Sequence, residues 1–164
     1  MRQLIKQREV IVDDWRYADE DPVGRERALI LPFARWKAER EQWWLWDGRL
    51  GVRIGPTDPV AELKNDFTRI GLVAIEFGGL AEGRGYSQAA LLRSRYKFTG
   101  ELRAVGKIQR DQLFYLARCG FDAFELPEGA NFEVALTAFD DFSVAYQGAI
   151  DAAGVHVQRR AAAV

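Results

Sequence analysis

Short apolar runs alternate with longer helical patterns from residue 28 onward. The runs ALILPF, LGVRIG, LVAIEF, ELRAVG and DAFEL begin at residues 28, 50, 72, 101 and 122. The segments that follow them have helical spacing of apolar residues: ARWKAEREQWW, DPVAELKNDFTRI, SQAALLRSRY, RDQLFYLARCG and NFEVALTAFDDFSVAYQGAI. Short apolar runs alternating with helices predict βα units and a parallel sheet.

Five βα units are consistent with two α/β architectures. One is an open, flavodoxin-like, doubly wound sheet, and the other is a TIM-barrel-like partial barrel. Both place ligand sites at the carboxyl ends of the strands. We predict an N-terminal extension over residues 1–27 with a short strand at 9–12, a single α/β domain over 28–150, and a tail over 151–164.

Capping residues refine the predicted helix ends. Asp58 and the proline after it suit an N-cap and a first helical position. Ser87 is predicted to cap SQAALLRSRY, and Asp111 to lie near the start of the fourth helix, where a carboxylate suits the helix dipole. Gly120 after LARC is typical of a helix that ends in a left-handed residue.

Composition narrows the classes of function. The chain has 164 residues, 48% hydrophobic and 29% charged, with a net charge of -1, so no strong positive field favours nucleic acid. No apolar stretch is long enough to span a membrane, which predicts a cytoplasmic protein. One cysteine, Cys119, and one histidine, His156, exclude an internal disulfide and a Cys- or His-based metal site. We therefore expect no metal, and no cofactor is evident.

A glycine-rich loop, EFGGLAEGRGYS, follows the third predicted strand at residues 76–87. It matches neither a P-loop nor a dinucleotide-binding fingerprint. Its position at a strand end makes Glu76, Arg84, Tyr86 and Ser87 candidate site residues. The alternative is a turn whose polar side chains face water.

Four charged residues interrupt strands that should be almost entirely apolar. They are Arg53, Glu76, Arg103 and Glu125. One interpretation is a structural ion-pair network. The other is a polar pocket floor in which Glu76 and Glu125 act as catalytic acid or base and the arginines hold an anionic group.

The loop after the fourth predicted strand, VGKIQRDQ, contributes Lys107 and Arg110 just before a predicted helix. Together with Arg84 they are candidate ligands for sulfate, phosphate or a carboxylate. The alternative is three solvated surface cations. Asp111 is either a helix-start residue or a catalytic base.

The segment REQWWLWDG places Trp43, Trp44 and Trp46 at a helix end and the following turn. Helical periodicity buries only part of such a run. An exposed cluster would mark a partner surface, whereas a buried one would pack in the core.

Three blocks of sequence resemble a known family. GRGYSQAALLR, YKFTGELRAVGKIQRDQLFYLARCGFDAFEL and FSVAYQ are similar to the bacterial domain of unknown function numbered 934, and the resemblance covers residues 28 to 147. It implies a context of sulfur assimilation, because members are commonly encoded beside the assimilatory sulfite reductase haemoprotein and phosphoadenylyl-sulfate reductase. Some members are labelled oxidoreductases of sulfite reduction, a label that rests on gene neighbourhood. The resemblance supplies no catalytic residues.

Three hypotheses follow. The first is an accessory protein of sulfate and sulfite reduction that binds a small anion and a reductase, either sulfite reductase or phosphoadenylyl-sulfate reductase. The second is an enzyme, either the oxidoreductase of the label or an acid–base catalyst acting through Glu76 or Glu125. The third is a homodimer that completes a barrel-like sheet.

Overall fold

The computed structural model describes residues 2–19, 24–79 and 83–141. Its centre is one eight-stranded sheet in the order β2-β1-β8-β7-β6-β5-β4-β3. The strands are β1 (Gln3–Lys6), β2 (Glu9–Val12), β3 (Arg16–Tyr17), β4 (Ala28–Pro32), β5 (Arg49–Ile54), β6 (Ile70–Phe77), β7 (Glu101–Gly106) and β8 (Ala123–Phe124). Strands β3 to β8 pair in parallel, and β1 pairs antiparallel with both β2 and β8.

Short helices follow four of these strands. They are α1 (Phe33–Ala38), α2 (Arg40–Leu45), α3 (Arg84–Ala90), α4 (Leu113–Arg118) and α5 (Phe132–Thr137). A π turn (Leu91–Arg95) continues α3, and 3-10 turns (Arg110–Gln112, Ala138–Asp140) precede α4 and follow α5.

The α/β class is confirmed, and each predicted apolar run forms or contains a strand. Neighbouring strands from β3 to β8 are consecutive in sequence, which differs from the order of a flavodoxin-like sheet. The sheet instead curls into a half-barrel. It is larger than the five predicted units, because residues 3–17 supply three further strands. The predicted domain boundaries stay a prediction.

Two predicted helix starts were wrong. The segment after Asp58 forms only 3-10 turns (Val60–Glu62, Lys64–Asp66), and the Asp58 carboxylate accepts the backbone N–H of Gly55 at 2.7 Å. Helix α3 begins at Arg84, so Ser87 lies inside it. The earlier start is possible because Gly85 packs against the Phe77 ring, where a Cβ atom would be 2.6 Å from ring carbons.

The predicted end of the fourth helix is confirmed. Gly120 has a φ of 106°, and its N–H donates to the Ala117 carbonyl. The N–H of Phe121 donates to the Leu116 carbonyl, which completes a Schellman motif. Asp111 lies in the 3-10 turn that leads into this helix, as predicted.

The two faces of the sheet are covered differently. The helix-covered face holds the main core, including Leu29, Val52, Val73 and Phe124. The opposite, inner face carries a small apolar cluster of Ile30, Leu72, Ala74 and Val105, against which Trp15 and Tyr17 pack.

The N-terminal segment crosses this inner face. Residues 13–15 connect β2, at one edge of the sheet, to β3, at the other. Four residue steps span at most about 14 Å, so the two edges must approach each other. The crossing segment therefore holds the sheet in its curled form and fills part of its interior.

Replacing Gly106 with alanine should destabilise the fold. Gly106 has a φ of 91°, and a Cβ atom there would lie 2.5 Å from the Phe77 carbonyl oxygen. We expect a loss of about 2 kcal/mol in the free energy of unfolding, measured by denaturant titration. Gly79→Ala is the matched control, because no atom of the described residues lies within 4 Å of its Cβ position. Equal stability of the two variants would contradict this account.

Candidate functional site

The four charged residues predicted in the strands lie in two rows across the inner face. Arg53, Ala74 and Arg103 are in register, and Glu76 is in register with Val105 one row nearer the carboxyl ends. Glu125, just after β8, lies beside Val105 because Ala104 pairs with Phe124. Glu76 and Glu125 are therefore separated by two strand spacings, about 10 Å.

Arg103 lies at the centre of a buried ion network. Its side chain is 1% exposed. It donates to both carboxylate oxygens of Asp13, at 2.9 and 3.1 Å, and to Glu101 at 2.8 Å. A carboxylate oxygen of Glu125 lies 3.8 Å from the guanidinium. An isolated buried guanidinium would be very costly, and these carboxylates compensate it.

Further residues extend the network to solvent. Arg2 donates to Asp13 at 2.8 Å and to Glu125 at 3.4 Å, and Lys6 lies 2.7 Å from Glu101. The hydroxyl of Tyr17 donates to Glu125 at 2.8 Å. The three cations and three carboxylates balance. They are Arg2, Lys6, Arg103, Asp13, Glu101 and Glu125.

The electrostatic environment fixes the protonation states within the network. Burial opposes the charged form of Asp13, but the hydrogen bond and charge of Arg103 hold the pKa of that carboxyl below its usual value. Burial and the neighbouring Glu125 carboxylate raise the pKa of Tyr17, which stays a hydrogen-bond donor. Burial alone would lower the pKa of Arg103. The hydrogen bonds and charges of Asp13 and Glu101 outweigh burial and raise this pKa above its usual value. Asp13 and Arg103 are therefore both charged at neutral pH.

This geometry favours the structural interpretation of Arg103 and Glu125. The Arg103 guanidinium donates to the carboxylates of Asp13 and Glu101, and its side chain is only 1% exposed, so it is poorly placed to bind an anion from solvent. Glu125 accepts from Tyr17 and lies between Arg2 and Arg103. Their predicted roles in anion binding and catalysis have no support in these contacts.

Glu76 and Arg53 lie nearer to solvent. The Glu76 side chain is 52% exposed, and its carboxylate is 3.8 Å from Arg53. Arg53 also donates to Asp19 at 2.5 Å and lies 5.4 Å from the centre of the Tyr17 ring. Beside them is a cavity of about 580 Å³, lined by Asp19, Pro32, Ala34, Arg35, Glu39 and Arg53.

The three predicted anion ligands after β6 and β7 differ in their surroundings. Arg110 is bound to the α5 region, where it donates to Asp141 at 2.8 Å and to Thr137 at 2.7 Å. Arg84 and Lys107 are exposed, and within the described ranges neither has an ion-pair partner. Residues 80–82 of the glycine-rich loop lie outside the described residues.

The other predicted loop residues lie on the helix-covered side. Tyr86 packs its ring 5.3 Å from that of Phe77, and its hydroxyl accepts from Gln112 at 3.1 Å. Burial raises the pKa of Tyr86. Ser87 and Asp111 are exposed on their helical turns. In the described part of the chain, no hydrogen bond or ion pair joins these three residues to the inner-face network.

The tryptophan run is divided between core and surface. Trp43 is buried, donates to Glu39 at 3.1 Å, and packs edge-on against Trp46. Trp44 is exposed, and the next residue, Leu45, is 84% exposed. They line a cavity of about 680 Å³ together with Arg40, Glu41, Asn65 and Asp66.

Sequence reasoning missed the N-terminal half of the network. Asp13, Arg2 and Tyr17 were placed in an extension, yet they hold Arg103 and Glu125. The available signal was the pair Trp15 and Tyr17 among acidic residues, because aromatic rings beside charges are typical of a packed segment. Glu101 was the second signal, as a carboxylate in a strand that should be apolar.

The fold and its inner face define an α/β protein with a curled, partly filled half-barrel. A family model, described as a bacterial protein of unknown function (DUF934), matches residues 51–156, and the chain belongs to this family. A comparison with curated proteins found no match. Helices in the described part of the chain are too short or too polar to span a bilayer. Residues 2–19, 24–79 and 83–141 contain no cluster of three or more potential metal ligands.

Asp13→Asn should strongly destabilise the protein, because it leaves the buried charge of Arg103 partly uncompensated. We expect a loss of about 3 kcal/mol in the free energy of unfolding. The matched control is Asp14→Asn, whose carboxylate pairs with Arg49 at the surface and should contribute less than about 1 kcal/mol.

The same substitution should alter the dependence of stability on pH. The pKa of Asp13 is lowered in the folded chain, so its stabilisation is present above the unfolded pKa of about 3.9 and is lost as pH falls through the folded value. Unfolding titrations below pH 4 should show a shallower loss for Asp13→Asn than for the wild type. An unchanged slope would contradict the assignment.

Proposed function

We propose that this protein is an accessory protein of assimilatory sulfate and sulfite reduction, which binds a small oxyanion at the carboxyl edge of its sheet and docks to a reductase. The sulfur context comes from the family resemblance. The proposed binding role comes from the distribution of charge at the strand ends.

The observation that carries the proposal is the placement of two exposed cations around the end of β6. The N–H of Lys107 donates to the Phe77 carbonyl at 2.8 Å. Gly85, next to Arg84, packs directly on the Phe77 ring. Phe77 thus anchors the backbone beside both cations, on the edge where α/β proteins bind ligands.

The neighbouring arginines are already paired with carboxylates. Arg53 is paired with Asp19 and Glu76, and Arg110 with Asp141. Among the described residues, Arg84 and Lys107 retain their hydrogen-bond donors for a ligand. A guanidinium and an ammonium are well suited to the oxygens of sulfate or sulfite.

The proposed reductase surface is the exposed end of α2. Leu45 and Trp44 project beside the 680 Å³ cavity. Exposed aromatic and aliphatic side chains next to a concavity are typical anchors of protein interfaces. Candidate partners are sulfite reductase and phosphoadenylyl-sulfate reductase.

Anion binding should depend on both cations. Replacing Arg84 or Lys107 with glutamine should weaken sulfite and sulfate binding about tenfold each, because one charged hydrogen bond contributes about 1.5 kcal/mol. Isothermal titration calorimetry measures the affinity. Arg95→Gln is the control, as an exposed arginine at the far end of the continued α3.

Equal affinity of all three variants would place the anion elsewhere. If the wild-type protein turns over a small anion and Glu76→Gln loses this activity, the enzymatic alternative replaces the accessory role.

Reductase docking should depend on Leu45. Leu45→Asp should abolish co-purification with sulfite reductase or phosphoadenylyl-sulfate reductase, because a carboxylate would have to be desolvated in the interface. Leu91→Asp, another exposed leucine, is the matched control and should retain the complex. If the wild-type protein forms no complex at micromolar concentration and binds no anion, the proposed function is wrong.

A further inference from the structure

One edge of the described sheet is a regular strand of four residues. Strand β2 pairs with β1 without interruption, from Gln3 opposite Val12 to Lys6 opposite Glu9. Among the described residues, no strand pairs with its other side. It contains no proline and no bulge, two of the features that protect an edge from another chain, and its one charged residue is Glu9 at its start.

Two residues of β2 direct their backbone N–H and C=O groups away from β1. The N–H of Asp13 donates to the Arg2 carbonyl, so these residues form a hydrogen-bonded pair. Hydrogen-bonded and non-hydrogen-bonded pairs alternate along an antiparallel ladder. Ile11 and Glu9 therefore bond to β1, whereas the N–H and C=O groups of Val10 and Val12 point away from it.

The side chains of the same two residues are also exposed. Val10 is 38% and Val12 50% exposed. They lie on one face, because they are opposite Ile5 and Gln3 in the ladder. The edge thus offers both unpaired backbone groups and apolar surface at the same positions.

The hairpin that presents this edge is held in place. Its turn residues, Gln7 and Arg8, have φ angles of 51° and 66°, as in a type I′ turn. The N–H of Gln7 donates to Asp122, and Arg8 bonds to Asp140 at 3.3 Å. A partner strand would meet a pre-organised edge, which lowers the entropic cost of binding.

We propose that β2 is the interface of a two-fold symmetric dimer, in which β2 pairs antiparallel with β2 of a second copy. The register is centred on Ile11. Val10 of each copy then faces Val12 of the other, both outward-directed residues exchange N–H···O=C bonds, and the four valines form one apolar cluster. The dimer joins two sheets edge to edge.

The strand itself selects this register. Centring on Val10 would place Val12 opposite Arg8, whose left-handed φ of 66° does not extend a ladder. Centring on Val12 would place Val10 opposite Asp14, which lies beyond the end of β2. The opposite edge of the sheet, β3, is only two residues long and offers no comparable ladder.

Register-specific cross-linking in the full chain tests the dimer. In the Ile11-centred pairing, the two Ile11 Cα atoms form a non-hydrogen-bonded pair about 4.5 Å apart, within the range of a disulfide. Ile11→Cys should give a disulfide-linked dimer under mild oxidation. Val10→Cys is the matched control, because its symmetry mate is displaced by two residues, about 8–9 Å away, and should not cross-link.

A second variant tests the backbone bonds. Val10→Pro removes an outward N–H but none of the β1–β2 bonds, so light scattering should show a monomer where the wild type is a dimer at high micromolar concentration. Equal cross-linking of the two cysteine variants overturns the register. A wild-type protein that is monomeric overturns the dimer. If the amides of Val10 and Val12 exchange slowly in that monomer, another segment of the same chain pairs with the β2 edge.

Discussion

The fold depends on the neutralisation of one buried guanidinium. Arg103 lies in the middle of the inner face, where almost no solvent reaches it. Its compensation comes from Glu101 on its own strand and from Asp13 in the crossing segment. A buried pair of this kind adds little net stability over an apolar core, but loss of one partner is severe. The curled sheet and the N-terminal segment are therefore inseparable.

This constraint determines where a ligand can bind. The network occupies the centre of the half-barrel, and Tyr17 covers Glu125 from the N-terminal side. Among the described residues, the outer rim of the carboxyl edge is exposed to solvent at Glu76, Arg84 and Lys107. The inner face is a packed polar core, and the proposed oxyanion site is a feature of its rim.

The sequence predicted the elements better than their contacts. Apolar runs located β4 to β8, and Gly120 marked a helix end, because both signals are local. Ser87 suited a cap, but the close packing of Gly85 on Phe77 lets α3 start earlier. The strand charges were recognised, yet their partners were not, since Arg103 and Asp13 are 90 residues apart. Short β1 and β3 carry too few residues for a periodic signal.

The crossing segment is synthesised before the strands on which it packs. Asp13 is made before its partner Arg103, which lies 90 residues later, and Arg2 bonds to Glu125 across 123 residues. Contacts of such separation form only after the intervening chain is available. The N-terminal segment therefore leaves the ribosome before its packing partners, β7 and β8, have been made. Until then its apolar hairpin is open to chaperones and to other chains.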